Sequence, residues 1–144
     1  MSRILPCLLF LISGGACALD FVAVGDQSAI LYDAPSLKAN KLLVVSPHYP
    51  LEAVVTLESW VKVRDNNGKL AWVEKALLGG THYVMVTSPL ADIRQAASDQ
   101  SPLVFRAKTG VLLDVSGNPD NGWIAVHHQD GQSGYVKASQ VWGG

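Results

Sequence analysis

The sequence predicts an all-β protein built from two tandem small β-barrels of about five strands each. The main observation is an internal repeat, in which SWVKVRDNNGKLAWV at 59–73 returns as GWIAVHHQDGQSGYV at 122–136. In both segments apolar and polar residues alternate on either side of a glycine-containing turn, a pattern typical of a β-hairpin. No convincing amphipathic helix interrupts the pattern, and only one short helical turn is expected, within 73–78.

The repeat extends on both sides of the hairpin. ILYDAPS at 30–36 lies over DIRQAAS at 92–98, so that Leu31 meets Ile93 and Ser36 meets Ser98. KALLGG near position 80 likewise lies over ASQVWG near the end of the chain. The two copies therefore account for nearly all of the sequence after its first twenty residues.

Each copy also contains a central segment rich in strand-forming residues. These segments are LEAVVTL at 51–57 and VLLDV at 111–115. We expect one domain over 19–80, called the first repeat below, and another over 81–144, called the second repeat. Each is small enough to have a thin hydrophobic core.

Residues 1–18 carry the pattern of a secretory signal peptide. Arg3 is followed by the short apolar run ILPCLLFLI at 4–12 and by small residues before a predicted cleavage after Ala18. The run is too short to span a bilayer comfortably. A buried core helix is the alternative, but the terminal position and the flanking residues favour export, and the mature chain would begin at Leu19.

Cys7 and Cys17 are the only cysteines, and both fall inside the predicted leader. The mature chain would then contain no disulfide, no thiolate nucleophile and no cysteine metal ligand. Lipidation of Cys17 is the second possibility for this segment. It ranks lower because Gly14-Gly15-Ala16 lacks the leucine usual in a lipoprotein signal.

The charge balance excludes some classes of partner. Eleven basic and twelve acidic residues, without a basic run, give no electrostatic footprint for nucleic acid or anionic lipid. No second apolar segment reaches membrane-spanning length. We therefore expect a soluble exported protein without a membrane span, located in the periplasm.

The hairpins allow two registers. A two-residue Asn67-Gly68 turn would pair Val63 with Trp72, whereas a three-residue loop pairs Asp65 with Lys69. The second repeat favours the three-residue loop, because only that register gives both hairpins one aliphatic face and one aromatic face. The aliphatic faces are Val61, Val63, Ala71 and Val73, and Ile124, Val126, Gly134 and Val136. The opposite faces carry Trp60, Lys62 and Trp72, and Trp123, Ala125, His127 and Tyr135.

In these features the sequence resembles the bacterial SH3-like domains. The resemblance lies in LYDAPS and IRQAAS, in the central strands, and in a tryptophan and valine before the glycine hairpin and its aromatic-valine pair. The second repeat keeps the family's Asn-Gly-Trp at 121–123, where the first has Glu-Ser-Trp at 58–60. The usual arginine after the early apolar residue is Tyr32 in the first repeat and survives as Arg94 in the second. The resemblance implies two tandem SH3-like barrels that serve as envelope binding or targeting modules.

The resemblance also implies that the hairpin tryptophan borders a ligand groove. Flat, partly exposed aromatic side chains bind extended peptides or sugars at low entropic cost. The alternative is that the rings only cover the barrels or pack between them, as we expect for Trp142. The candidate ligand-binding residues are Tyr32, Trp60 and Trp72 in the first repeat and Arg94, Trp123, His127 and Tyr135 in the second.

A metal site, a cofactor and an enzymatic activity are not expected. His127 and His128 are adjacent, so on a strand they point to opposite faces and do not easily chelate one ion together. His48 and His82 stand in other contexts. The mature chain has no thiol, no nucleophile elbow and no carboxylate pair placed by a recognisable motif.

The sequence therefore predicts a non-enzymatic exported protein that recognises a cell-envelope ligand. That ligand is a cell-wall peptide or glycan, or another exported protein. The alternative function is a structural subunit or inhibitor in an envelope protein complex, and a third is an uncharacterised cell-wall hydrolase.

Overall fold

The computed structural model describes residues 19–143, and the predicted signal peptide with both cysteines lies outside these residues. The described chain forms two antiparallel sheets of seven strands each. The first contains β1 (Phe21–Val24), β2 (Ala29–Tyr32), β3 (Lys41–Val45), β4 (Pro50–Thr56), β5 (Trp60–Arg64), β6 (Leu70–Glu74) and β7 (Leu78–Gly79). The second contains β8 (Tyr83–Val86), β9 (Leu90–Arg94), β10 (Leu103–Lys108), β11 (Leu112–Val115), β12 (Trp123–His127), β13 (Ser133–Lys137) and β14 (Val141–Trp142).

Both sheets have the same strand order, which reads β3-β2-β6-β5-β4-β1-β7 in the first and β10-β9-β13-β12-β11-β8-β14 in the second. The all-β prediction is confirmed, and the helical content of residues 19–143 is two single 3-10 turns, Lys75–Leu77 and Ala138–Gln140. The predicted number of about five strands is too low. The two-residue strands β7 and β14, which follow the 3-10 turns, are too short to show a period-two pattern.

Each sheet encloses its own cluster of buried apolar side chains. Val63 is fully buried in the first cluster and the equivalent Val126 is 1% exposed in the second. Burying one such side chain contributes about 1.5–3 kcal/mol relative to leaving it in water. The first core contains Val24, Ala29, Leu31, Val45, Leu51, Val61, Val63, Ala71 and Val73. The second contains Val84, Val86, Ala91, Ile93, Ala107, Leu113, Ile124, Val126 and Val136.

The hairpins have the three-residue loop that the sequence favoured. Val63 lies opposite Ala71 in the first hairpin, and Val126 lies opposite Gly134 in the second. Gly68 closes the first loop with a φ of +84°, a conformation that glycine adopts without a steric penalty. The aliphatic face therefore points into the core, and the aromatic face points outward.

A carboxylate fastens each hairpin loop, but from different positions. Asp65 is 6% exposed, and its Oδ1 accepts hydrogen bonds from the backbone N–H groups of Asn67 and Lys69, each at 2.9 Å. In the second repeat, Asp130 within the loop accepts the Gln132 N–H at 2.9 Å. Both arrangements satisfy turn donors that the strand ladder leaves unpaired.

The two repeats contact each other through aromatic pairs outside the hairpins. Phe21 meets Trp142 edge to face, with ring centroids 5.2 Å apart, which agrees with the packing role expected of Trp142. His48 stacks on Tyr83 at 4.3 Å, and His82 Nε2 lies 3.2 Å from the Phe21 carbonyl oxygen. An aromatic pair of this kind contributes about 0.5–1.5 kcal/mol beyond its buried area. These pairs leave the outer faces of both hairpins uninvolved.

Candidate functional site

The outer face of the first repeat is a self-packed aromatic cluster. Tyr32 at the end of β2 lies directly opposite Trp72 in β6, and its ring meets Trp60 edge to face at 5.5 Å. Tyr32 is only 5% exposed. Lys62 places its Nζ 6.0 Å from the centre of the Trp72 ring. The predicted residues Tyr32, Trp60 and Trp72 do come together: the rings of Tyr32 and Trp60 pack on each other, and Trp72 lies opposite Tyr32 with Lys62 near its ring.

The equivalent face of the second repeat contains an open depression. Arg94 takes the place of Tyr32 and lies directly opposite Tyr135. Its guanidinium donates to the Ser101 carbonyl at 2.8 Å and lies 3.5 Å from the Asp92 carboxylate. Beside Trp123 this arrangement leaves a cavity of about 30 Å³, the space of one or two water molecules. It is lined by Asp92, Arg94, Asp99, Trp123, Lys137 and Gln140.

Polar groups around the Trp123 ring give this depression a mixed charge. Lys137 Nζ lies 5.7 Å from the ring centre and 2.7 Å from a carboxylate oxygen of Asp99. The Gln140 Oε1 is buried and has no hydrogen-bond partner among the described residues. An acceptor left unpaired in this way favours a bound water or a ligand donor group.

A second depression of about 210 Å³ lies next to Tyr135. Its polar lining comes from Gln95, Ser116 and Ser133. Gly134 permits β13 to approach β9 closely here, because a Cβ at this position would lie 2.7 Å from the Arg94 carbonyl oxygen. Tyr135 and Trp123 therefore border adjacent depressions on one face.

His127 is the candidate that the structure places elsewhere. Its Nδ1 lies 3.4 Å from the Asp114 carboxylate, and it lines neither depression. The equivalent pair in the first repeat is Arg64 and Glu52, with 3.1 Å between Nη1 and Oε2. His127 thus occupies a cross-strand ion-pair position that both repeats share.

The described histidines do not gather into a metal site. Within residues 19–143 no three His, Cys, Asp or Glu side chains are placed to hold one ion. The adjacent His127 and His128 have different acidic neighbours, Asp114 and Asp130. The backbone N–H of Gln132, and after it the His128 side chain with its Nδ1 3.0 Å from the Asp130 carboxylate, lower the pKa of Asp130 below its usual 3.8. No helix in this part of the chain is long and apolar enough to cross a membrane.

Sequence reasoning missed several residues that line the Trp123 depression. Lys137 lies directly opposite Trp123 in the hairpin register that the sequence favoured. That register alone was enough to predict that Lys137 lies beside Trp123. Asp92 lies two residues before Arg94 in β9, so both side chains are on the same face of the strand. The strand period therefore also predicts that Asp92 lies near this depression. Asp99 and Gln140 lie outside the strands, where periodicity gives no information about side-chain placement.

Comparison with known proteins relates both repeats to one family. The sequence matches the bacterial SH3 domain over residues 25–80 and again over 87–143. No curated protein matches the chain significantly.

Several solved structures resemble the fold at low sequence identity. They include NlpC2 of Trichomonas vaginalis, with 12% identity, a TM-score of 0.40, and coverage of 87% of this chain and 48% of that one. NlpC1 of the same organism has 13% identity, a TM-score of 0.40 and coverage of 90% and 47%. An NlpC/P60 family protein from Bacillus cereus has 15% identity, a TM-score of 0.39 and coverage of 85% and 56%. The chain thus spans about half the length of these proteins.

The family assignment rests on the sequence match, which covers most of the chain in two consecutive segments. The strand order, repeated without change in both sheets, agrees with it. The chain therefore belongs to the bacterial SH3 domain family, whose domains are non-catalytic binding modules, and contains two of them in tandem.

Proposed function

We propose that this chain is an exported, non-enzymatic protein that binds a cell-envelope ligand, and that it acts in the periplasm. The ligand is peptidoglycan, through its peptide or glycan part, or another exported protein. The second repeat carries the binding face, formed by Trp123, Tyr135 and Arg94 with Lys137. The first repeat contributes rigidity, because Tyr32 on its outer face is buried and packs on the ring of Trp60.

One observation carries this proposal. The position that Tyr32 fills in the first repeat is occupied by Arg94 in the second, and a depression with an unpaired acceptor remains beside Trp123. Peptide and sugar ligands both combine flat apolar surfaces with hydrogen-bonding groups. A tryptophan face surrounded by Arg94, Lys137 and the carboxylate of Asp99 offers complementary chemistry for such ligands.

Sedimentation with purified sacculi tests the proposal. Trp123→Ala is expected to remain folded and to lose binding by about 10-fold or more, which corresponds to about 1.4 kcal/mol. Trp60→Ala is the matched control, since it removes the equivalent ring from the closed cluster. We expect it to keep binding and to lower the free energy of unfolding more than Trp123→Ala does.

One result would contradict the assignment of the face, and another would decide which ligand is bound. If Trp123→Ala binds sacculi as the unsubstituted chain does, the Trp123 face is not the binding face. If the unsubstituted chain does not sediment with sacculi but co-purifies stoichiometrically with one exported protein, that protein is the ligand. Repeating the two tryptophan substitutions on that complex then shows whether the same face is used.

A further inference from the structure

Lys137 holds a carboxylate of its own chain beside Trp123. Its Nζ lies 2.7 Å from Asp99 Oδ1 and 5.7 Å from the centre of the Trp123 ring. The Asp99 side chain is 61% exposed and belongs to the loop between β9 and β10, whereas Lys137 lies within β13. Asp99 also lines the depression beside Trp123, so movement of this side chain enlarges the space there. An internal carboxylate therefore occupies the position beside the ammonium group that a ligand carboxylate would need.

The loop that carries Asp99 does not depend on this ion pair for its shape. In both repeats a serine of the loop, Ser98 or Ser36, donates its N–H to the carbonyl two residues earlier, at 2.8 Å. The residue after this serine is Asp99 in the second repeat and the exposed Leu37 in the first. Since the same backbone hydrogen bond forms beside a leucine, the Asp99 side chain is free to bind and release Lys137.

The residue opposite the hairpin tryptophan reverses its charge between the repeats. Lys137 lies opposite Trp123, whereas Glu74 lies opposite Trp60. A ligand carboxylate is therefore attracted to the tryptophan of the second repeat and repelled from that of the first.

The charged groups around the depression include more cations than carboxylates. Asp92 lies 2.9 Å from Arg106 Nε and 3.5 Å from Arg94 Nη2, so two guanidinium groups share one carboxylate. With Lys137 paired to Asp99, three cations surround two carboxylates. Displacement of Asp99 increases this excess. The local charge therefore favours an anionic ligand over a cationic one.

Gln140 adds a requirement for a hydrogen-bond donor. Its Oε1 is buried and has no partner among residues 19–143, and such an acceptor is stabilised by a ligand N–H or O–H. A peptide that ends in a free carboxylate has both groups in one residue, an amide N–H next to the anion. A neutral sugar has hydroxyl donors but no anion for Lys137, and the ammonium group already lies over the Trp123 ring on which a sugar would stack.

We propose that the Trp123 depression recognises peptides that carry a free carboxylate, and that Asp99 is an internal competitor for Lys137. This inference rests on the proposed function, and of the two parts of peptidoglycan it selects the peptide. In the free chain Asp99 pairs with Lys137. A ligand carboxylate displaces Asp99 and accepts hydrogen bonds from Lys137 Nζ, while the neighbouring ligand N–H donates to Gln140 Oε1.

The two parts of this exchange differ in strength. A charge-assisted hydrogen bond to a ligand carboxylate is among the stronger polar contacts, so its loss weakens binding by about 10-fold. An exposed ion pair such as Asp99 with Lys137 contributes little, so its release weakens binding by only about 2- to 5-fold. Asp99 therefore reduces the affinity for the ligand without preventing binding.

Sacculi whose free carboxylates have been converted to amides test the ligand class. Carbodiimide with ammonia neutralises the peptide carboxylates and leaves the glycan strands unchanged. We expect the unsubstituted chain to bind amidated sacculi about 10-fold less tightly than untreated sacculi. Sedimentation over a range of sacculus concentrations measures both affinities.

Lys137→Gln identifies the residue that binds the carboxylate. It should bind untreated sacculi about 10-fold less tightly than the unsubstituted chain, and amidation should have no further effect on it. Lys62→Gln is the matched control, because Lys62 Nζ lies 6.0 Å from the centre of the Trp72 ring in the first repeat. It should respond to amidation as the unsubstituted chain does.

Asp99→Asn tests the internal competitor. We expect it to bind untreated sacculi about 2- to 5-fold more tightly than the unsubstituted chain, because no ion pair has to be released. Glu58→Gln is the control, since it removes the same charge from an exposed position of the first repeat and should leave binding unchanged. Circular dichroism and urea unfolding establish that the variants are folded, and Asp99→Asn still tests the inference if Lys137→Gln does not fold.

Four outcomes overturn the inference. If binding depends on Trp123 but is unchanged by amidation, the ligand group is not a carboxylate, and the proposed binding face still stands. If Lys137→Gln loses as much affinity on amidation as the unsubstituted chain, another residue binds the carboxylate. If Asp99→Asn binds no more tightly than Glu58→Gln, Asp99 is not a competitor. If the unsubstituted chain does not sediment with untreated sacculi, peptidoglycan is not the ligand, and the inference fails with it.

Discussion

Tyr32 and Arg94 occupy equivalent positions in the two repeats, each directly opposite the aromatic residue of the returning hairpin strand. The Tyr32 ring packs edge to face on Trp60, whereas the Arg94 guanidinium turns to Ser101 and Asp92. One exchange at this position thus separates a closed aromatic cluster from an open, charged depression. The fold accommodates both because the position lies on the outer face, outside the two clusters of buried apolar side chains.

Burial at the hairpin predicts that substitutions at neighbouring residues change the free energy of unfolding by very different amounts. Val63→Asp places an unpaired charge in a thin core and should lower the free energy of unfolding by about 3–5 kcal/mol. Lys62→Asp, on the outer face, should cost less than about 1 kcal/mol. Val126→Asp and Ala125→Asp form the matching pair in the second repeat. Urea unfolding measures all four, and equal tolerance within a pair would contradict the inward direction of the valines.

The inward direction of these valines could be predicted from the sequence, because the same register had to fit both hairpins. Either hairpin alone permitted a two-residue turn, but only the three-residue loop produced a uniform aliphatic face in both. The equivalence of Tyr32 and Arg94 was also visible in the alignment of the repeats. The order of side chains along a strand and their alternation determine these features, so pattern alone recovers them.

The open edge of β3 and the composition of the Trp123 depression were not recovered. The run of apolar residues from Leu42 to Val45 is compatible with a buried strand, and only the strand order reveals that, within residues 19–143, β3 has a neighbouring strand on one side alone. Asp99 reaches Lys137 from a loop, and Gln140 reaches the same depression from a 3-10 turn. The positions of loop and turn side chains depend on tertiary packing, and no periodic sequence pattern predicts them.

Gly134 predicts a steric limit between β9 and β13. An added Cβ would lie 2.5 Å from Ile93 Cγ2 and 2.7 Å from the Arg94 carbonyl oxygen, so Gly134→Ala should cost about 1–3 kcal/mol through overpacking. Gly80→Ala is the control, because its Cβ would meet nothing within 4 Å. Thermal unfolding compares the two. An unchanged unfolding temperature for Gly134→Ala would show that β9 and β13 can move slightly apart at no cost in stability.

The loop carboxylate predicts an acid-dependent change at the second hairpin. Because the pKa of Asp130 is lowered by the Gln132 N–H and by His128, its ionised form is favoured in the folded state. Its contribution is therefore fully present above the unfolded value of 3.8 and is lost as pH falls through the lower folded pKa. NMR titration of the Asp130 carboxyl should give a midpoint below 3.8, and a midpoint at or above that value would contradict the hydrogen bonding described here.

Export predicts a defined N-terminus. If Arg3, the apolar run and the small residues before Leu19 act as a leader, the chain recovered from an exporting host should begin at Leu19. Intact-mass measurement distinguishes this product from the alternatives. A mass that retains Met1 in the exported fraction would refute cleavage, and the mass of an acylated chain beginning at Cys17 would establish a lipoprotein.

The exchange between Tyr32 and Arg94 predicts that binding can be removed without loss of the fold. Arg94→Tyr should fill the depression with a ring packed against Trp123, as Tyr32 packs against Trp60 in the first repeat. Asp92 keeps Arg106 as a partner at 2.9 Å, so no acidic group is left uncompensated. We expect the free energy of unfolding to change by less than about 1 kcal/mol, because the lost hydrogen bond and the gained aromatic contact are similar in size.

Sacculus binding by Arg94→Tyr should nevertheless fall by about 10-fold or more, because the ring occupies the space and removes the cationic donor. Tyr32→Phe is the control, since it changes the equivalent position of the first repeat without opening or closing a depression. Circular dichroism and urea unfolding establish that both chains are folded. If folded Arg94→Tyr binds sacculi with undiminished affinity, the ligand does not enter the Trp123 depression, and the closed cluster of the first repeat becomes the face to test.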